Sequence, residues 1–162
     1  MNSKTIAIVI LHYNDFNMTK NYINNLKELN WENINHKFII VDNASPDCSG
    51  IKLKEKYYSD KDVEVLLLER NLGFARGNNI GILYAKNELD ADLVVVSNND
   101  IKIKTRTFPE ELIEMYEENS FAVYGPDIYS QGRNIHQNPF RKSPLNIEEV
   151  KSKIKEIDRL LA

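Results

Sequence analysis

Four short, almost unbroken apolar runs constrain the fold of this chain more than any other feature. They occupy residues 5–11, 37–42, 63–69 and 93–97 and are rich in Ile, Val and Leu. Runs of that length with few polar interruptions are the pattern of strands covered on both faces. Helix-like segments separate them. Residues 17–29 place Ile23, Leu26 and Leu29 on one side, residues 49–58 follow, and residues 73–88 are expected to turn Ile80, Leu83 and Tyr84 inward. Strand and helix alternate, so the expected fold is α/β, with a mostly parallel sheet and right-handed crossovers. A further helix is expected over residues 109–118, with Pro109 in its first turn, then a short strand over residues 121–124 ended by Gly125-Pro126.

The chain has 162 residues, enough for one domain with a substantial core. Residues 131–145 read as a loop, punctuated by Gly132, Pro139 and Pro144. A terminal helix is expected over residues 146–162. Asn146 and Glu149 give it a box-like start, and Ile147, Val150, Ile154, Ile157 and Leu161 share one face. Docking of that face onto the domain is the plain reading; dimerisation and burial against a missing part of the protein are the alternatives, and oligomeric state is open. No apolar run approaches the ~20 residues of a membrane span, and the N-terminus lacks the pattern of a secretory signal. The single cysteine, Cys48, excludes a disulfide within the chain and fits a reducing, cytoplasmic setting. Residues 1–132 carry 14 Lys/Arg against 20 Asp/Glu, whereas residues 133–162 carry seven against four. An acidic body is a poor surface for nucleic acid, whose binding depends on neutralising phosphates. The basic tail suits a solvated helix face, with peripheral contact to anionic lipid as the alternative.

Three of the apolar runs deliver small polar clusters to one edge, because the carboxyl ends of parallel strands share a rim where ligands bind. The first is Val41-Asp42-Asn43-Ala44-Ser45, whose Asp42 can accept from a base N–H or from ribose hydroxyls; an ordinary Asx turn would use the same residues. In the second, Asn71-Leu72-Gly73-Phe74-Ala75-Arg76-Gly77-Asn78-Asn79, Asn71 and Gly73 stand at a helix start, whose free N–H groups favour an anion. Arg76 adds a positive charge one turn in, and Gly77 is read as allowing close approach of a diphosphate. The third is Asn98-Asn99-Asp100: Asn98 suits a ribose hydroxyl, and Asp100 suits a divalent cation that takes its remaining oxygens from substrate phosphates and water. Together they read as a nucleotide site with a metal-binding carboxylate.

These three blocks in order, preceded by Ile8-Val9-Ile10-Leu11-His12-Tyr13-Asn14, resemble the inverting family-two glycosyltransferases of GT-A (Rossmann-like) fold, and most closely a rhamnosyltransferase-like branch of surface-polysaccharide synthesis. The resemblance covers about residues 4–130. It implies a nucleotide-sugar-binding domain over residues 1–130 and a nucleotide-contacting turn at Tyr13. It further implies base contact by Asp42, nucleotide binding near Arg76, and an Asp-x-Asp-like role for residues 98–100 with Asp100 as Mg²⁺ or Mn²⁺ ligand. The implied donor is a dTDP- or UDP-linked sugar and the implied acceptor a saccharide or lipid-linked hydroxyl. Cys48 stands where such turns often have Gly. Family members continue into an acceptor-binding half that supplies the general base; no matching segment follows Tyr129, so no catalytic base is assigned. The chain then reads either as an enzyme or as a truncated, non-catalytic donor-binding module that needs missing sequence or a partner.

Other chemistries find little support. His12 lies at the mouth of the first strand, where it either lines the pocket or packs. His36 and His136 make no metal constellation with Cys48. There is no Gly-x-Ser-x-Gly nucleophile, no Gly-x-Gly-x-x-Gly fingerprint and no Lys-containing phosphate loop. A nucleotidyltransferase is disfavoured because no glycine-rich, basic loop follows Leu11.

Overall fold

The computed structural model describes residues 4–126, 128–130, 132 and 135–136. Four parallel strands, β1 (Thr5–His12), β2 (Asn35–Asp42), β3 (Val63–Leu67) and β4 (Leu93–Ser97), form one sheet in the order β3-β2-β1-β4. Three helices connect them: α1 (Phe16–Lys27), α2 (Ser49–Lys56) and α3 (Gly73–Asn87). This is the expected α/β, GT-A-like architecture of a parallel sheet flanked by helices. The strand order reverses between β1 and β4, a topological switch point where open sheets of this kind bind ligands. The register sets His12 opposite Asp42, Asp42 opposite Leu67, and Ile10 opposite Ser97, so the four carboxyl ends lie together.

The central strands β1 and β2 are buried on both faces over most of their length. Ala7, Val9, Ile39 and Val41 form one buried cluster with Ala85 of α3. Ile6, Ile8 and Ile10 alternate to the opposite face and are fully buried, as are Ile23 and Leu26 of α1 and Leu53 of α2. Tyr22 of α1 reaches Ser97, the register partner of Ile10, which places α1 on that second face.

Helix α3 corrects the sequence reading. Its buried residues are Gly77, Asn78, Gly81 and Ala85, whereas Ile80 is 36% and Leu83 52% exposed. A Cβ at Gly77 would lie 2.5 Å from Leu11 Cδ1, and one at Gly81 would overlap Val9 Cγ1 and come within 3.0 Å of Val41 Cγ2. The small residues let the helix backbone settle onto the bulky Val and Leu side chains of the central strands. Gly77 therefore serves helix-on-sheet packing, not the approach of a diphosphate.

A fourth helix, α4 (Phe108–Asn119), begins with Pro109 in its first turn, as expected, and with Glu110 and Glu111 favouring its positive end. Thr107 Oγ1 donates to Glu111 at 2.6 Å across that turn. The chain divides within α4 into two compact units, Met1–Glu111 and Leu112–Ala162. In the second unit the strand expected over residues 121–124 is reduced to an isolated bridge at Val123. Phe121 instead packs edge-on to Tyr116 and tilted against Tyr124, with ring centroids 5.4 Å from each, so local aromatic packing replaces a ladder. Within the expected loop of residues 131–145, Ile135–His136 (β6) pairs antiparallel with Tyr129–Ser130 (β5). The expected helix over residues 146–162 lies outside the described residues. No helix among the described residues is long and apolar enough to cross a membrane.

Candidate active site

The turns after β1, β2 and β3 are joined to one another by hydrogen bonds at the carboxyl edge, and the turn after β4 is tied to α1. After β1 the chain enters the left-handed region at Asn14 and Asp15, with φ of 58° and 52°, and Asp15 caps α1 by accepting from Met18 N. Tyr13 stays half-exposed. Asn14 N donates to Ser45 Oγ at 2.8 Å, and Ser45 Oγ donates to Asp42 Oδ1 at 2.5 Å. One hydroxyl thus ties the first turn to the end of β2. Asp42 itself is only 5% exposed, and its carboxylate occupies the space that a side chain at Gly50 would need.

Asn43 links the second and third turns. Its Nδ2 donates to Asn71 Oδ1 at 2.9 Å, and its Oδ1 accepts from Leu72 N at 2.8 Å. Asn71 Oδ1 also accepts from Gly73 N at 2.8 Å. Two asparagines thus take the N–H groups of Leu72 and Gly73 at the start of α3, while Leu72 itself makes no side-chain cap bond. Gly73 has φ of 77°, a conformation that Gly adopts at little cost. Arg76 is exposed and has no hydrogen-bond or ion-pair partner among the described residues.

The fourth turn begins at Ser97, whose hydroxyl meets Tyr22 at 2.5 Å; burial pushes the Tyr22 phenol up to about 12. Asn98 and Asp100 are exposed, whereas Asn99 Nδ2 donates to Thr19 Oγ1 at 2.8 Å. The chain beyond is fastened along α1 by Asn25, which donates to Ile103 O at 3.1 Å and accepts from Ile103 N at 2.9 Å. Between α1 and this turn lies a groove of about 620 Å³, whose lining includes Asp15, Asn21, Tyr22, Asp100 and Lys102. Asp42, Asn71 and Arg76 do not line it.

His12 is fully buried among these turns. Its Nδ1 lies 2.7 Å from Thr19 Oγ1 and its Nε2 2.7 Å from Ser49 Oγ, with Asp42 Oδ1 4.0 Å away. Burial holds its pKa below the ordinary value, against the raising influence of Asp42, Asp47 and Asp15. Sequence reasoning left His12 between pocket and packing, and did not reach Thr19, Ser49 or the linking roles of Asn43 and Asn99. The available signal was a polar residue ending each of two central apolar strands.

No group of three or more His, Cys, Asp or Glu side chains that could hold a metal occurs among the described residues. A lone exposed carboxylate such as Asp100 fits Mg²⁺ or Mn²⁺ only where substrate phosphates and water supply the other oxygens, a usual arrangement for these ions on nucleotides.

A parallel sheet with a switch point, whose strand ends carry polar, helix-start and carboxylate-bearing turns, is of the α/β class that binds ligands at its carboxyl edge. The chain matches the model of glycosyl transferase family 2 over residues 7–161, and it belongs to that family. The match runs past residue 130, where the sequence resemblance had ended. Among curated proteins it is similar to the low-salt glycan biosynthesis hexosyltransferase Agl10 of Haloferax volcanii, 25% identical over 83% of this chain and 40% of that one. It is also similar to the dTDP-rhamnosyl transferase RfbF of Shigella flexneri, 26% identical over 88% of this chain and 47% of that one. The chain thus spans less than half the length of these relatives. The mannosyltransferase PcManGT of Pyrobaculum calidifontis, solved with GDP-Man and Mn²⁺, shares the fold with a TM-score of 0.61 and 15% identity over 72% of this chain and 33% of that one.

Proposed function

We propose that residues 1–130 bind a nucleoside diphosphate-sugar, dTDP- or UDP-linked, at the carboxyl edge of the sheet. In the complete enzyme the sugar passes with inversion to a hydroxyl of a saccharide or lipid-linked acceptor in cell-surface polysaccharide synthesis, on the cytoplasmic side. The observation that carries this reading is the hydrogen-bonded joining of the turns after β1, β2 and β3, with the turn after β4 tied to α1 beside them, at the switch point of a family-two fold. Tyr13 and Asp42 face the base, with Asn98 on the ribose. Asn71 and Gly73 shape the start of α3: with Leu72 N and Gly73 N taken by Asn43 and Asn71, the following N–H groups of the first turn favour the diphosphate, and Arg76 adds charge there. Asn14 Oδ1 supports the assignment, since it is buried without a partner among the described residues. A buried acceptor left unpaired costs about 1–3 kcal/mol, which a donor N–H or hydroxyl would offset. Asp100 would hold Mg²⁺ or Mn²⁺, whose charge stabilises the departing nucleoside diphosphate.

The length of the curated relatives favours a second reading, in which this chain is the donor-binding part and turnover needs residues beyond it. Titration of UDP and dTDP with and without Mn²⁺ tests the site. Asp100→Ala should remove most of the metal-dependent affinity, about tenfold or more, and metal-independent binding that is unchanged in this variant contradicts the assignment. Release of nucleoside diphosphate that requires an acceptor identifies a working enzyme; tight binding without it identifies the module.

A further inference from the structure

We propose that His12 is a positioning residue that fixes the turn after β4 and the turn after β2 in one register through a single directed chain of hydrogen bonds. The proposal rests on the donor-site reading of those two turns, one carrying Asp100 and the other following Asp42.

The direction of every bond follows from its ends. Asp47 is a carboxylate, and two hydrogen bonds from Ser49 hold its pKa below the ordinary value. A carboxylate only accepts, so the single proton of Ser49 Oγ goes to Asp47 Oδ1, at 2.5 Å. At the 2.7 Å contact with Ser49, His12 Nε2 must therefore be the donor. Burial keeps the ring neutral against Asp42 on β2, Asp47 before α2 and Asp15 before α1, so Nδ1 carries no proton. Thr19 Oγ1, 2.7 Å from Nδ1, must then donate to it. The Thr19 oxygen in turn accepts from Asn99 Nδ2 at 2.8 Å. The chain runs one way from Asn99 through Thr19, His12 and Ser49 to Asp47, and bonds aligned in this way strengthen one another.

A histidine that merely fills space needs no such arrangement. Both ring nitrogens here bond to side chains of other elements, 7 and 37 residues away, and His12, Thr19 and Ser49 are at most 1% exposed. The two bonds of the imidazole are shielded from solvent, whereas Asp47 at the end of the hydrogen-bond chain is exposed. A shift of the Asn99 turn breaks the bond to Thr19, and a shift of the residues 47–49 turn breaks the bond from Nε2. The imidazole spans the two in the plane where His12 sits opposite Asp42 in the sheet.

Two amide substitutions divide the ring's work. In His12→Gln the longer side chain brings an N–H near the Nε2 position, keeping Ser49 and losing Thr19. In His12→Asn the shorter one brings an oxygen near the Nδ1 position, keeping Thr19 and losing Ser49. With the full chain, UDP and dTDP titrations should show the Mn²⁺-dependent gain in affinity falling about tenfold in His12→Gln, and the Mn²⁺-free affinity falling more in His12→Asn. Thr19→Val should reproduce His12→Gln. Equal losses in both variants, or none in either, overturn the proposal, because a purely structural role lowers stability without splitting the two affinities. Long-range ¹H–¹⁵N spectra of the wild-type ring test it without ligand: a proton on Nε2 and a bare Nδ1 are expected near neutral pH, and the opposite tautomer or an imidazolium overturns it. Should the wild-type chain bind neither nucleotide with Mn²⁺, the donor-site reading fails. The His12 relay is then decided by that tautomer and by Thr19→Val, which should shift the amide resonances of Asn99 and Asp100 more than those of residues 52–56.

Discussion

At the residue scale, a neutral, desolvated His12 makes stability depend on pH in a calculable direction. Its folded pKa lies below the ordinary 6.5 because burial outweighs the three aspartates around it. Above that value the folded and unfolded chains both hold the ring neutral, and its contribution is complete. As pH falls below 6.5, the unfolded chain takes up a proton that the folded one refuses, and stability declines down to the folded pKa. Denaturation midpoints measured from about pH 8 to pH 5 should therefore fall more steeply for wild type than for His12→Gln; parallel curves contradict a buried neutral ring. Gly50 is a second sharp position, since any side chain there displaces the Asp42 carboxylate. Gly50→Ala should weaken nucleotide binding about tenfold or more if Asp42 reads the base. Much of this was legible in the residues: Asp42, Asn71, Gly73 and Asp100 end or follow apolar runs, and the family blocks mark them. Cys48, which the resemblance sets where such turns often have Gly, adopts φ of 60°, a left-handed conformation that favours Gly. Hydrogen bonds between residues dozens of positions apart, such as Asn43 to Asn71 and Asn99 to Thr19, leave no periodic trace and were not legible.

At the element scale the four strands of the sheet were read to within two residues, because continuous Ile and Val runs admit few other placements, whereas the strand expected over residues 121–124 is only a bridge. The face of α3 was misread because apolar periodicity assumes that bulk points inward. Here the sheet supplies the bulk, through Val9, Leu11 and Val41, and the helix answers with Gly77, Gly81 and Ala85. The exposed Ile80 and Leu83 instead line a groove beside β3 with Leu66 and Tyr84. The two glycines differ in what opposes them. At Gly77 the obstacle is the tip of one Leu, which can rotate, and Ala gains about 1 kcal/mol of helix propensity. At Gly81 the obstacles are two β-branched side chains on adjacent strands, Val9 and Val41, which are stiff about χ1. Gly81→Ala should accordingly cost about 1–3 kcal/mol by overpacking, and Gly77→Ala should be close to neutral. Equal midpoints in urea unfolding of the two variants would mean that α3 does not rest on these strands.

At the scale of the whole molecule, a rim assembled from all four strand ends has a thermodynamic consequence. A ligand bound to one flexible loop is lost when that loop opens, and reports little on global stability. A nucleotide held by the turns after β1, β2, β3 and β4 requires the sheet order β3-β2-β1-β4 to be intact, so unfolding the sheet must release it. At a hundred times its dissociation constant such a ligand adds about 2.7 kcal/mol to stability. For a chain of this length that corresponds to a rise in melting temperature of roughly 5–10 °C. The matching nucleotide with Mn²⁺ should give that rise, and the same nucleotide without the metal a smaller one. In Asp100→Ala the two conditions should converge, while the metal-free rise persists through Asp42, Asn71 and Arg76. A melting temperature unmoved by saturating nucleotide and Mn²⁺ would mean that the four turns do not act as one site. Because the measurement needs neither acceptor nor turnover, it tests donor binding whether this chain is the enzyme or the donor-binding part of one.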